Sequence, residues 1–158
     1  MMYDMNSPIK PYDGIGSIKL AMTIEEIRVY LKNNHIAFDQ WIEPNKGIEP
    51  EIPWTIIRID KSITLAFVDD VLFEITLQDK FKGLLPNGIC IDMPMKEVEH
   101  LDSSLMYNEE DENFISDNGY WIEDEIESGN VVSITIFLPE VEQDDESFWT
   151  YKWINKYK

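Results

Sequence analysis

The chain carries one ten-residue pattern twice, and this internal repeat constrains its fold more than any other feature. Residues 18–27, IKLAMTIEEI, align without gaps with residues 89–98, ICIDMPMKEV, at an offset of 71 residues. A glycine, Gly16 or Gly88, lies just before each copy. Repeated sequence predicts repeated local structure, and two similar units can bury their apolar faces in one shared core.

Both copies predict a short strand followed by the start of a helix. In the first, Thr23 and Glu26 have the spacing of a capping box, in which the hydroxyl and the carboxylate each accept a hydrogen bond from a free amide of the first turn. In the second, Pro94 stands where Thr23 does, and its fixed φ is tolerated in a first turn. Apolar residues then recur at helical spacing in both copies: Ile24, Ile27 and Leu31, then Met95, Val98 and Leu101.

Each predicted helix is followed by an irregular stretch and then by strands. Turn-forming residues at 44–47 and 50–53 predict a loop in the first unit, and Asp69 and Asp70 predict a tight turn. The predicted strands are residues 54–60, 64–67 and 71–77 in the first unit, and residues 114–116, 120–123 and 131–138 in the second. Residues 73–77 and 133–137 look like counterparts. The predicted unit is therefore a strand, a helix and about three antiparallel strands.

These elements predict an α+β fold in which two tandem strand-helix-three-strand units form antiparallel sheet with the helices packed on one face. We expect residues 1–158 to form a single domain, with pseudo-repeats at about 14–78 and 86–138. Residues 82–88 connect the two units and are too short and apolar for a flexible linker. The aromatic carboxy-terminal segment, residues 147–158, alternates in a way that predicts an edge strand, with core packing as the favoured role of its aromatic rings.

Charge is the second constraint. The chain has 31 acidic and 13 basic residues, which gives a formal net charge of −18. Residues 1–78 carry a net −5 and residues 79–158 a net −13. Nucleic acids and anionic lipid surfaces would repel such a chain, because both are bound through Lys and Arg. We therefore predict a basic protein as the partner, with no direct nucleic-acid or membrane binding, and solubility alone as the alternative use of the charge.

Residues 109–127, the acidic segment, hold nine acidic residues and no basic one, with aromatic residues between them. Like charges in a block repel, so such a block destabilises the fold unless a partner uses it. Aromatic anchors beside charges are typical of protein-recognition surfaces, although a solvated loop is the alternative. The predicted partner-binding residues are Glu109, Glu110, Asp111, Glu112, Phe114, Asp117, Tyr120, Trp121, Glu123, Asp124 and Glu125.

Catalytic and metal-site patterns are weak. His35 and His100 stand near the ends of the predicted helices without a partner at metal-ligand spacing, and Cys90 lies in an apolar run. We expect no catalytic residue, metal or cofactor. The lone cysteine indicates a reducing compartment, and residues 1–6 lack the basic and apolar regions of a secretion signal, so we expect a cytoplasmic location.

Residues 14–27, GIGSIKLAMTIEEI, resemble the G-x-x-L-G-M-T-x-E-E-V opening of the small lipoproteins of outer-membrane assembly and of the β-lactamase inhibitory proteins, which carry such a unit in tandem. Ala21 stands where that pattern has Gly. An acidic chain with this opening looks like an immunity protein of a bacterial polymorphic-toxin or contact-dependent growth inhibition system. That resemblance implies stoichiometric binding to one cognate toxin domain, and many such toxins are basic nucleases.

The expected function is therefore that of a cytoplasmic immunity protein whose acidic surface blocks the active-site groove of a basic toxin. Such a surface imitates the phosphate track of a nucleic acid, so that association is fast and weakens with salt. The alternative is an acidic interaction module or scaffold that has no connection with toxins. An enzyme is the least favoured possibility, because it would need a pocket with convergent polar groups.

Overall fold

The computed structural model describes residues 3–46, 52–143 and 145–158, and it confirms the α+β class with mostly antiparallel sheet. The helices are α1 (Ile24–Asn33), α2 (Met95–Leu101) and α3 (Asp145–Trp149), with 3-10 helices at Pro139–Glu142 and Lys152–Tyr157. The strands are β1 (Ile9–Lys10), β2 (Gly14–Ile15), β3 (Ile18–Lys19), β4 (Asp39–Lys46), β5 (Ile52–Ile59), β6 (Ile63–Val68), β7 (Val71–Gln78), β8 (Met106–Asn108), β9 (Asn113–Ile115), β10 (Tyr120–Asp124) and β11 (Val131–Phe137).

The larger sheet has eight strands in the order β4-β5-β6-β7-β11-β10-β9-β8. Every neighbouring pair is antiparallel. β7 and β11 meet in the middle, so the four strands that follow α1 lie on one side and the four that follow α2 lie on the other. The remaining three strands, β1 to β3, form a separate small sheet. Gly14 is required there, because a Cβ on it would lie 2.2 Å from the Ile18 carbonyl oxygen.

The predicted helix starts are present. Thr23 is the N-cap of α1, and the reciprocal hydrogen bonds between Thr23 and Glu26 confirm the capping box. Pro94 is the N-cap of α2 and makes no side-chain cap bond. The predicted hairpin at Asp69 and Asp70 is confirmed as well, because both residues have positive φ, 45° and 73°, and they join β6 to β7.

The two faces of the eight-stranded sheet differ in polarity. Strand register places Leu77 opposite Ile134 and Ile75 opposite Ile136, and all four side chains are fully buried. The buried residues of α1 and α2 belong to the same hydrophobic cluster as these four. The alternate positions place Thr76 opposite Thr135 and Trp121 opposite that same threonine, so the other face is mixed and polar.

Three details of the predicted strands are wrong. Residues 44–46 belong to β4 and residues 52 and 53 belong to β5, although both stretches are predicted as loop. The rest of that predicted loop includes Gly47, Pro50 and Glu51, which lie outside the described residues. β8 is not among the predicted strands, so four strands follow α1 and four follow α2. The predicted strand before the second helix, at Ile89 to Ile91, is not a strand, because its residues lie in turn and irregular backbone.

The carboxy-terminal segment is helical, which corrects the predicted edge strand. Tyr151 has a left-handed backbone (φ 57°) that separates α3 from the last 3-10 helix and interrupts any strand. The favoured core role is confirmed for Phe148 and Tyr151, which are buried, and Phe148 lies 5.8 Å from Phe73 between ring centroids. Trp149 and Trp153 are only partly buried against the core. Helical backbone lets these side chains gather on one side and cover the end of the sheet.

Across the ranges given above, the helices are too short and too polar for any of them to cross a bilayer.

Candidate functional site

A cleft of about 620 Å³ opens on the polar face of the eight-stranded sheet. Its floor consists of side chains that share this face: Glu74 and Thr76 on β7, Thr135 on β11, and Trp121 and Glu123 on β10. The positions of Thr76, Thr135 and Trp121 follow from the alternation of the strands, since the neighbours of these three residues along their strands are buried. The hydroxyl oxygens of Thr76 and Thr135 lie 3.1 Å apart at the centre of the floor.

The carboxy-terminal segment forms one wall of the cleft. Trp149 of α3 stacks on Trp54 of β5, with ring centroids 5.9 Å apart and planes 3° from parallel. Trp54 also donates a hydrogen bond from Nε1 to the Tyr151 hydroxyl, at 3.1 Å. Phe73 contacts Trp54 edge to face at 4.9 Å. These aromatic contacts fix the wall against the sheet, so the cleft is preformed.

The opposite wall is the turn between β8 and β9, which brings in the acidic segment. Glu110 and Asp111 lie in this turn and line the cleft. Asn108 at the end of β8 holds the turn, because its Oδ1 accepts hydrogen bonds from the amides of Glu110 and Asp111 at 3.0 and 3.4 Å. The turn therefore presents two carboxylates toward the tryptophans across the cleft.

Negative charge dominates the cleft. The carboxylates that line it are Glu74, Glu110, Asp111, Glu123 and Glu142, and the described lining residues include no lysine or arginine. Desolvation by burial, followed by repulsion from Glu123, raises the pKa of Glu74 to about 7. Within the described ranges the Glu74 side chain has no hydrogen bond or ion pair. A half-buried carboxylate without a counter-charge destabilises the fold, and such groups concentrate at functional sites.

One further polar group in the cleft lacks a partner. Asn113 on β9 lines the cleft and is only 8% exposed, and its Oδ1 accepts no hydrogen bond. A buried amide oxygen without a donor costs roughly 1–3 kcal/mol. Glu74 and Asn113 are thus two acceptors on the same cleft that are left without a donor among the described residues.

Four of the predicted partner-binding residues line this cleft: Glu110, Asp111, Trp121 and Glu123. Glu109, Glu112, Asp117 and Glu125 are exposed in turns or beyond the strand ends, and Asp124 is half-buried at the end of β10. Phe114 is half-buried on β9 and packs edge to face on Tyr107, with ring centroids 5.0 Å apart. The acidic segment is therefore divided among the cleft, exposed turns and the core.

Tyr120, one of the predicted partner-binding residues, lies in the core. It is 1% exposed and cannot serve as a surface anchor. Its hydroxyl donates to the buried Asp102 carboxylate and accepts a hydrogen bond from Asn87 at 3.0 Å. Tyr120 alternates with Trp121 along β10, so one ring enters the core while the next faces the cleft. The sequence analysis grouped the two rings because they are adjacent in the chain, but adjacent residues on a strand point to opposite faces.

The cleft residues that sequence reasoning missed come from distant parts of the chain: Trp54, Glu74, Thr76, Thr135, Glu142 and Trp149. One signal was available. Glu74 interrupts the apolar run from Val71 to Leu77, and a charged residue within such a run is unusual. The rest depended on the strand order, which places β7 beside β11 and the carboxy-terminal segment beside β5.

Among the residues that the structure describes, the other reactive side chains form no comparable site. Burial, followed by the nearby carboxylates of Asp92 and Glu97, raises the pKa of the Cys90 thiol, which disfavours the nucleophilic thiolate. His35 follows α1 and His100 lies in the last turn of α2. In the described part of the chain, no group of three or more His, Cys, Asp or Glu residues is arranged to hold a metal ion.

Comparisons with protein-family models, with curated proteins and with solved structures found no match to this chain.

Proposed function

We propose that this chain is an immunity protein that binds and neutralises one basic toxin domain, a nuclease being the favoured class, by occupying the toxin's active-site groove. The observation that carries the proposal is the cleft, where five carboxylates and three tryptophans converge and the described lining residues bring no basic side chain. A basic protein surface would supply the missing positive charge. The chain acts in this proposal as a stoichiometric binder, without catalysis or a cofactor.

The physical mechanism has two parts. The net charge of −18, concentrated in residues 79–158, attracts a basic surface over about a Debye length and speeds the encounter. The indole rings of Trp121 and Trp149 then provide apolar contact area, and buried aromatic anchors of this kind slow dissociation. Affinity should therefore fall with salt mainly through the association rate.

The tandem architecture is part of the same proposal: two related units, each a helix followed by four strands, with both helices over the apolar face of the sheet. Matching hydrogen bonds support it. The amide of Ala21 donates to Leu72 at 2.8 Å, and the amide of Asp92, 71 residues later, donates to Val131 at 2.9 Å. Ala21 and Asp92 also share a positive φ, 75° and 71°.

A pseudo-twofold axis between the units explains how β7 and β11 pair at the centre of the sheet. If Leu72 corresponds to Val131, then Thr76 corresponds to Thr135, and these two threonines are register partners between β7 and β11. A residue that faces its own counterpart lies on a twofold axis. This correspondence shifts the counterparts of residues 73–77 to residues 132–136, one residue from the alignment predicted from sequence.

The resemblance at residues 14–27 supports the inhibitor class from a separate direction. Inhibitory proteins with that opening carry Gly where this chain has Ala21, and a positive φ of 75° is the conformation that favours glycine. A cytoplasmic location is proposed with the function, because the lone Cys90 thiol suits a reducing compartment.

The test is co-expression of this chain with the product of the neighbouring reading frame, followed by affinity capture and a growth assay. We expect a stable complex and protection of the host cell. A matched pair of variants tests the cleft: Glu110→Gln/Asp111→Asn/Glu123→Gln removes three cleft charges, whereas Glu97→Gln/Glu99→Gln/Glu127→Gln removes three exposed charges elsewhere.

The first variant should weaken capture at least tenfold and abolish protection, and the second should behave like the wild type. Equal losses in both variants would mean that total charge, and not the cleft, determines binding. Capture of a partner without any protection would favour the acidic interaction module over the immunity protein.

A further inference from the structure

We propose that β8, at one edge of the eight-stranded sheet, is the docking site for an extended segment of the partner, which adds to the sheet as a ninth, antiparallel strand with basic residues at its amino end. This inference deepens the proposed binding function and rests on it, because it takes the partner to be basic. The occupant is a polypeptide strand, recognised through its main chain and its charge.

The two edges of this sheet are protected to different degrees. β4, at one edge, contains Pro44, which has no N–H to offer, and a register shift after Glu43 interrupts its ladder with β5. β8, at the other edge, has the sequence MYN, without proline or charge, and a regular register against β9. Within the described ranges no strand pairs with its outer side. Proteins commonly protect such an edge against strand pairing, so an unprotected edge suits a partner strand.

Apolar side chains continue to this edge on both faces of the sheet. Strand register places Met106 beside Ile115, and Ile115 beside Trp121, on the cleft face. On the opposite face Tyr107 packs edge to face on Phe114, with ring centroids 5.0 Å apart. Met106 and Tyr107 are still 74% and 52% exposed, because the described sheet ends at β8. The side chains of an added strand would cover both, and this apolar contact compensates for the few main-chain bonds that three residues can form.

Charge favours a basic segment and defines its direction. The turn directly after β8, residues 109–112, consists of four acidic residues. Glu110 and Asp111 line the cleft, whereas Glu109 and Glu112 are exposed outside that lining. An antiparallel strand would pass β8 with its amino end beside this turn, so basic residues at that end meet the carboxylates. A second copy of this chain fits poorly, because it brings the same acidic turn and a net charge of −18.

The experiment titrates the intact protein with acetyl-Arg-Lys-Arg-Thr-Val-Thr-Val-amide and follows the backbone amide signals of β8 by NMR. The reversed peptide, acetyl-Val-Thr-Val-Thr-Arg-Lys-Arg-amide, has the same composition and charge. We expect saturable shifts of the Met106, Tyr107 and Asn108 amides with the first peptide. The reversed peptide should bind roughly fivefold more weakly, because its basic residues reach the turn only if it adds as a parallel strand.

Two further peptides test the pairing of the main chains. One carries N-methyl groups on both valines of the first peptide, and the other carries them on both threonines. The N–H groups of an added strand face its neighbour at alternate residues only, so one of these peptides should bind roughly tenfold more weakly while the other keeps its affinity. Equal affinities of the two methylated peptides, or undiminished affinity of the reversed peptide, would overturn strand addition and leave only attraction between charges.

Met106→Lys tests the edge itself, and its matched control is Ile42→Lys on β4, where Ile42 is 62% exposed at the other edge. A lysine on an edge strand obstructs strand addition, so Met106→Lys should weaken binding of the first peptide roughly fivefold. Ile42→Lys makes the same change of charge and should leave binding unchanged. Thermal melting checks that both variants fold. Equal effects of the two substitutions would place the peptide elsewhere and contradict the assignment.

Sedimentation of the free protein tests the competing occupant. We expect a monomer, because two chains that each carry a net charge of −18 repel each other. A dimer that Met106→Lys dissociates would assign the edge to a second copy of this chain and overturn the proposal.

The outcome is separable from that of the proposed function, because the peptide experiment involves no toxin. A protein that captures and neutralises its partner equally well with Met106→Lys, and that ignores the peptides, keeps its function and loses the docking edge. Conversely, a protein that binds the peptides as described but protects no cell keeps the docking edge and loses the immunity role.

Discussion

The half of the sheet that follows α1 and the half that follows α2 have four antiparallel strands each, but they differ in strand length and in charge. β4 to β7 are eight, eight, six and eight residues long, whereas β8 to β11 have three, three, five and seven. At the far edge of the second half, Met106 and Tyr107 on β8 remain 74% and 52% exposed. Residues 1–78 carry a net charge of −5 and residues 79–158 a net −13. The first half therefore supplies most of the sheet, and the second supplies most of the charge.

The contrast is sharpest at the ends of the two helices. Leu31 in the last turns of α1 is fully buried, and the residue 71 positions later is Asp102, which is also buried, with 5% exposure. An apolar contact closes the first half, and a charged side chain closes the second. The difference teaches that a polar network stabilises the second half, whose strands are short. The network fixes turns that have little apolar area of their own.

That network is complete. Burial by itself would raise the pKa of the Asp102 carboxyl, but hydrogen bonds from Ser104, Ser116, Tyr120 and Asn118 outweigh burial and hold it well below its usual range. The Ser104 and Ser116 hydroxyls lie 2.6 Å from the carboxylate oxygens, and Asn118 Nδ2 lies 3.2 Å away. One carboxylate thus ties the end of α2 to the turn between β9 and β10.

The largest expected effect tests whether the two halves unfold together. Ile57 on β5 and Ile134 on β11 are both fully buried on the apolar face. Replacing either by alanine should lower the free energy of unfolding by about 2–5 kcal/mol, because the side chain is lost and a cavity remains. We expect a single transition in urea for each variant, followed by circular dichroism and by tryptophan fluorescence, since the β7–β11 pair joins the halves.

If an alanine variant fails to fold, the matching valine variant costs only about 0.5–1.5 kcal/mol and answers the same question. Two separate transitions, with Ile57→Val moving only the first and Ile134→Val only the second, would show that the halves are independent. The comparison between them would then be one between two domains.

A smaller effect distinguishes the buried charge of Asp102 at the end of α2 from the apolar contact of Leu31 at the end of α1. Asp102→Asn should lower the free energy of unfolding at pH 7 by about 1–3 kcal/mol, because a charged acceptor of several hydrogen bonds becomes a neutral amide. The pKa of Asp102 is depressed in the folded state, so its stabilisation is present above the unfolded pKa near 4 and is lost as the pH falls below it. The difference between variant and wild type should therefore shrink between pH 5 and pH 2, measured by urea denaturation.

Leu31→Ala is the matched control in the first half. Its loss comes from a cavity, so the difference from wild type should stay constant over the same pH range. A constant difference for Asp102→Asn as well would mean that the charge of Asp102 contributes nothing, and that the network stabilises the fold through shape alone.

Elements that depend on local interactions could be predicted from the sequence, and elements that depend on distant residues could not. The starts of α1 and α2 and the hairpin at Asp69 and Asp70 were predictable, because caps and turns depend on a few neighbouring residues. β4 was missed because Pro44 resembles a loop former, while its pairing with β5 depends on residues further along the chain.

The cleft could be predicted only in part, for the same reason. Glu110, Asp111 and Glu123 are close in sequence and were recognised as an acidic surface. Glu74 and Trp149 reach the cleft through strand order and through the fold of the carboxy-terminal segment, neither of which leaves a local pattern. A single sequence identified the acidic turn and the β10 side of the floor, but not the floor residues on β7 and β11.

The smallest expected effect tests the correspondence between the halves at the backbone. Ala21 and Asp92 hold positive φ values of 75° and 71° and donate matching hydrogen bonds to β7 and β11. Alanine in this conformation is strained by about 1 kcal/mol, whereas aspartate tolerates it better. Glycine removes the strain but gives the unfolded chain more freedom, so Ala21→Gly should gain roughly 0.5 kcal/mol and Asp92→Gly close to nothing. Urea denaturation of both variants measures the difference, and a loss of stability in Ala21→Gly would contradict the left-handed backbone on which the matched positions depend.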